Sequence, residues 1–226
     1  MDQGFIWSHN VAPDHCNAYN TPMTITPIFL STRSTELLGG LSIGEIPIAG
    51  SKRPSFRMNL DGKTYRVGRI WANRAFVVVR GNLRLLYVST NYLNYAAVAR
   101  RVFGDPRGKY EYDHALGRKI AESFGFQYIL ILRSTPAINR SHGFSERFHD
   151  SYRITINKFC YIDDRILKKM LGTAASQLSA PLRTSPFRHR ASHRRRLSIA
   201  ETRLARHALG MDDREIDYSS LHEILR

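Results

Sequence analysis

The sequence predicts an α+β fold: an antiparallel β-meander joined to a helix–strand–strand–helix unit, with a flexible basic C-terminal tail. Three observations lead there. Between residues 55 and 89, short β-branched and aromatic runs alternate with turn dipeptides. After Asn91 the apolar residues recur at helical spacing. From Ala180 onward the chain turns to Arg, Ser and Pro, a composition that cannot bury a core.

Residues 1–20 read as an irregular N-terminal segment and 21–179 as the α+β domain. Within it, "MTITPIFL" is strand-like but broken by Pro27, and "LLGGLSIGEIPIAGS" is too Gly-rich for a stable helix. "SFRMNL" and "KTYRVGRIW" flank Asp61-Gly62, a hairpin signal, because that turn wants positive φ at both central positions. "RAFVVV" and "LRLLYVS" flank "RGN", a second hairpin, so about four strands are expected between Ser55 and Ser89. "NYLNYAAVARRVF" reads as a helix with Asn91 as N-cap and "GDPRG" as its stop. "YDHALGRKIAESFG" reads as a second helix, with Leu116, Ile120 and Phe124 four apart and Gly125 as its cap. "FQYILILR" suits a central strand ended by Pro136, and "SYRITINKFCYI" another strand. "DDRILKKMLGTAASQL" is a helix capped by Asp163 or Asp164. Residues 180–198 are a basic linker with six Arg and no acid, and 199–226 a short helical tail that ends acidic.

Charge is the strongest compositional fact. Of 226 residues, 34 are Lys or Arg and 19 Asp or Glu, for a net +15 and a pI near 10.3. Residues 180–210 carry +7 and 211–226 carry −3, which leaves +11 on the rest. A field of that sign gathers polyanions, and neutralising phosphates releases counterions. Nucleic acid is therefore the expected partner, contacted mainly at its phosphates and with little sequence specificity. No RRM, KH, zinc-finger or helix-turn-helix signature points to base readout, DNA or RNA. The same charge also fits an interaction protein that docks an acidic protein partner through its basic tail.

Apolar runs such as "AFVVV" and "YILIL" fall far short of the roughly 20 residues that a spanning helix needs. The first residues lack the basic and apolar regions of a secretory signal. With only Cys16 and Cys160, the expectation is an intracellular, cytoplasmic protein without membrane insertion, nuclear if the host is eukaryotic.

Phosphate contacts are expected from two places. In the tail, Arg188, Arg190, Arg194, Arg195 and Arg196 form a dense run, and guanidinium forks suit phosphate bidentately. In the meander, Arg66, Arg69 and Arg74 interleave with Phe56, Tyr65, Trp71 and Phe76. Such a face stacks bases if it is exposed, but half of each strand's residues face inward, and Phe and Trp there are more often core. Arg118, Arg133 and Arg140 add cations further along.

The stretch "NRSHGFSERFHD", Asn139 to Asp150, follows the central strand and holds two His, two Arg, Glu146 and Asp150. Upstream, Glu111, His114, Arg118 and Glu122 are spaced to share one face of a helix. From these a metal-assisted phosphodiester cleavage can be built, with His114, Asn139, His142 and Glu146 as catalytic groups. A histidine activates water, an asparagine orients it, and a divalent Mg, Mn or Zn ion stabilises charge on the phosphate. The order His114, Asn139, His149, with Asp113 before the first, resembles the HNH (ββα-metal) nucleases. That resemblance implies His114 as base, Asn139 as its orienter, and Asp113 with His149 as metal ligands. The alternative for the same residues is a solvated polar turn, in which Arg118 and Glu122 are a simple i,i+4 pair.

Overall fold

The apolar run Tyr128–Ser134 is buried at all seven positions and forms a strand, β6, around which the chain is built. The computed structural model describes residues 38–51, 53, 56, 60–104, 109–143, 159–180, 197–211 and 221–223. The other strands are β1 (Pro47–Gly50), β2 (Lys63–Val67), β3 (Ala75–Arg80), β4 (Leu83–Ser89), β5 (Glu111–His114), β7 (Phe159–Tyr161) and β8 (Leu221–Glu223). They pair in the order β7-β1-β6-β4-β3-β2-β8, and β5 pairs with the second half of β6. Every pairing is antiparallel. Among the fully described elements, the α-helices that accompany the sheet are α1 (Tyr95–Phe103), α2 (Arg118–Ser123), α3 (Pro136–His142), α4 (Asp164–Met170) and α5 (Ile199–Ala208). The fold is α+β.

The two-residue period of a strand sends alternate side chains to opposite faces, and here both faces are covered. Ala75, Val77, Leu86 and Val88 pack with Val98, Ala99 and Val102 of α1. Phe76, Val78, Leu85 and Tyr87 join the larger cluster, which draws in Ile120 of α2, Ile166 and Leu167 of α4, and Ala205 and Ala208 of α5. At its centre the ring of Phe56 lies 4.2 Å from that of Tyr87, whose hydroxyl donates to the Pro47 carbonyl at 2.8 Å. No helix among the described residues is long and apolar enough to cross a membrane.

The β3–β4 hairpin stands as the sequence reads it, with Arg80 opposite Leu83 across Gly81-Asn82. Asp163 caps α4, its carboxylate accepting from the Ile166 N–H at 2.7 Å. Ser198 caps α5 in a capping box with Glu201. The helix ending "YDHALGRKIAESFG" is also present, but only as α2.

Several expectations are corrected. Before Asp61-Gly62 the chain is helical at Phe56 and Leu60, so three strands rather than four make the meander. Asp61 has φ 47, and its left-handed turn ends a helical segment instead of closing a hairpin. Glycine follows because a Cβ at Gly62 would come within 2.7 Å of the Val79 carbonyl oxygen. Helix α1 is capped at Asn94, not Asn91. "EYDH" is strand β5: four residues are too few to show a period, and pairing with β6 decides their conformation. Pro136 does not lead into a loop. It is the first residue of α3, where a missing N–H costs nothing, and Thr135 caps that helix.

The C-terminal part is no appendage. Leu197, Ala205, Ala208, Leu209 and Met211 sit in the main core, and Leu221–Glu223 is a strand on the open edge of β2. The expectations for residues 1–37, for "SYRITIN" and for the Arg run at 188–196 lie outside the described residues.

Candidate nucleic-acid interface

The turn between β2 and β3 begins at Gly68, whose φ of 52 falls in the left-handed region. A Cβ there would also lie 2.8 Å from the Arg101 guanidinium, so α1's arginine rests directly on the glycine. The turn is pinned by backbone hydrogen bonds. The Ile70 N–H donates to Val67 at 3.0 Å, and the N–H groups of Arg74 and Ala75 both donate to the Trp71 carbonyl, at 2.8 and 3.2 Å. Ile70 packs inward against the α1-side cluster. Trp71 points out, 70% exposed.

Arg69 and Arg74 are exposed on the same turn, Arg66 is exposed on β2, and Arg100 and Arg101 are exposed on α1. The Ser89 N–H donates to the Arg74 carbonyl at 2.8 Å, which brings the β4–α1 connection to the same end of the sheet. That connection carries a second exposed apolar side chain, Leu93, at 73%. From residue 62 to residue 104 the sequence has eight Lys or Arg and no Asp or Glu. The neighbouring strand β8 brings Glu223 opposite Tyr65. The acid-free run is a signal that counting charge only by tail and remainder overlooks.

The expected catalytic groups are placed differently. Because β5 is a strand, Asp113 and His114 point to opposite faces, as do Glu111 and His114. The four-residue helical face of Glu111, His114, Arg118 and Glu122 does not form. His114 turns toward α1, with its ring 4.2 Å from that of Tyr95 and only 5% of its surface exposed. Its Nε2 is buried and has no hydrogen-bond partner among the described residues. Burial pushes its pKa down to about 4, Arg118 and Lys169 push the same way, and Asp113 opposes them. Neutral imidazole is therefore its resting form.

Asp113 faces α4, where it holds the ammonium of buried Lys169. Glu111 accepts from Asn139 Nδ2 at 2.9 Å and from Arg140 at 3.4 Å, which ties β5 to α3. His142 is fully buried, and its Nε2 lies 2.8 Å from the Thr173 carbonyl. A carbonyl only accepts, so the proton sits on Nε2. Burial takes this histidine's pKa down to about 4 as well, with the Thr173 hydrogen bond opposing. Asn139 thus orients Glu111, not His114. Among the described residues no three His, Cys, Asp or Glu side chains are grouped to hold one metal ion. Glu146 and His149 lie outside the described residues, as do Arg188, Arg190, Arg194, Arg195 and Arg196.

Of the further cations, Arg118 and Arg140 are exposed. Arg133 is buried: its Nε donates to the His207 carbonyl at 3.0 Å, and its guanidinium lies 4.8 Å from the Tyr110 ring centroid. Arg133, Lys169 and His207 also wall a pocket of about 190 Å³ between β6, α4 and α5. Lys169, which the sequence reading leaves out, is the partner that fixes Asp113. Compared with known proteins, the chain matches no family, no curated protein and no solved structure.

Proposed function

We propose that this protein binds nucleic acid, chiefly through phosphate contacts and with little sequence selectivity. The observation that carries the reading is the unit of β2, β3, β4 and α1, with eight Lys or Arg and no acid between residues 62 and 104. Six of those cations, Lys63, Arg66, Arg69, Arg74, Arg100 and Arg101, are exposed. Cations on a folded surface present a field that attracts a phosphate backbone and reads no bases. The Arg run at 188–196 adds a second source of charge in the same chain.

The test is binding of labelled DNA and RNA across a salt series. Affinity should fall steeply with salt, and each phosphate contact removed should flatten the log–log slope by roughly 0.7–0.9. The triple variant R69A/R74A/R101A should lose slope, and neutralising Arg188, Arg190, Arg194, Arg195 and Arg196 should lose more. Polyglutamate serves as the control. If it competes as well as nucleic acid does, and the triple variant keeps the wild-type slope, the reading fails in favour of an acidic protein partner.

A further inference from the structure

We infer that the target is single-stranded nucleic acid, with an unpaired base stacked on the indole of Trp71. The inference rests on the phosphate-binding reading and adds to it the class of substrate.

A lone exposed apolar side chain is ordinary on a protein surface and by itself means nothing. Trp71 differs in three respects. It sits on a turn whose backbone is closed by hydrogen bonds at Val67 and at its own carbonyl, so the indole is presented from a fixed frame. Ile70, its neighbour, fills the core beneath, so the turn is anchored from below. And it is bracketed by exposed Arg69 and Arg74, with Arg101 held over Gly68 at the start of the turn. An exposed aromatic with exposed arginines on the same turn matches a strand that offers a base and its flanking phosphates together. Leu93 is a second exposed apolar side chain at the same end of the sheet.

Charge narrows the choice of occupant. A docking protein would meet this apolar side chain beside Arg69, Arg74 and Arg101 and would need to be acidic around its own apolar patch. A single strand supplies both parts in each nucleotide. Duplex DNA or RNA supplies only the phosphates, since its bases are already stacked on one another. The turn should therefore hold a single strand more tightly than a duplex of equal length.

Fluorescence anisotropy decides it, with the full chain, a labelled dT20, a labelled 20-base RNA without secondary structure, and a 20-base-pair duplex at fixed salt. Wild type should favour the single strands. Trp71→Ala should lower the single-strand to duplex affinity ratio by about 5- to 150-fold, the equivalent of one base–aromatic stack. Trp71→Phe should restore most of the ratio. The chain's other tryptophan is Trp7, so in a W7F background the remaining emission reports Trp71 and should be quenched by dT20. An unchanged ratio in Trp71→Ala, with steep salt dependence retained, overturns the stacking inference and leaves the phosphate reading standing. No binding to any of the three probes at low salt overturns both. Loss of wild-type self-association in Trp71→Ala without nucleic-acid binding would assign the indole to a protein contact and overturn both as well.

Discussion

Lowering the pH from 7 to 4 sets the fold against His114. In the unfolded chain this imidazole takes a proton near pH 6.5, whereas in the folded protein burial against Tyr95 holds it neutral down to about 4. Between those values the unfolded chain binds a proton that the folded one refuses. Stability therefore rises with pH across that window and is lost as pH falls through it. Above pH 6.5 both states are neutral and the effect vanishes. A gap of that size corresponds to about 3 kcal/mol by pH 4, and to roughly 2–3 kcal/mol at pH 4.5. His142 acts in the same direction. Asp163 opposes both: burial raises its pKa from 3.8 to about 6, so between those values the folded state holds a proton that the unfolded chain releases. The wild-type curve is the balance of the three, and a variant isolates one of them. His114→Phe keeps a ring against Tyr95 and removes the titrating nitrogen along with the unbonded Nε2. Urea unfolding at pH 7.5 and pH 4.5 provides the assay. The variant should match or exceed wild type at pH 7.5 and gain about 2–3 kcal/mol relative to it at pH 4.5, some 5–10 °C in Tm for a chain of this size. Equal losses in the two proteins between those pH values would refute the argument, as would an NMR titration placing His114 near 6.5.

Three further outcomes follow from named contacts. Asp113→Ala removes a carboxylate that holds the buried Lys169 ammonium and should cost about 3–5 kcal/mol by urea midpoint, most of it recovered in D113N/K169M. Gly62→Ala forces a methyl within 2.7 Å of the Val79 carbonyl oxygen; calorimetry should show a loss of about 1–3 kcal/mol, because the atom it meets is backbone and cannot swing aside. Ser198→Ala removes the cap that accepts from the Glu201 N–H at 3.1 Å. It should cost about 1 kcal/mol and speed amide exchange first in the opening turn of α5.

Much of the fold was legible because it is local. The apolar runs Ala75–Val79 and Leu85–Val88 mark two strands, and Gly81-Asn82 closes them with a two-residue turn. Asp163 names its helix start through the ordinary chemistry of a cap. Thr135-Pro136 has the pattern of an N-cap and first helical residue, and the structure uses it so, although a proline after an apolar run also suits a strand's end. Asp61-Gly62 suits a hairpin with positive φ at both positions, but only Asp61 takes it, and the dipeptide ends a helical segment.

The candidate site was legible only as composition. Arg69 and Arg74 could be named from the sequence, and so could the absence of acids around them. That Trp71 faces solvent while Phe56 and Phe76 fill the core could not, since an aromatic's side of a sheet depends on which strands and helices cover it. The same holds for "EYDH". Four residues carry too little periodicity to choose helix or strand, and pairing with β6 both chose strand and sent Asp113 to Lys169 and His114 to Tyr95. By itself the sequence determined the class of the fold, the β3–β4 turn and the α4 cap, which are properties of residues near one another in the chain, and its strongly positive charge. Only the tertiary structure decided which side chains meet and which are left outward, because strand pairing and burial join residues far apart in sequence.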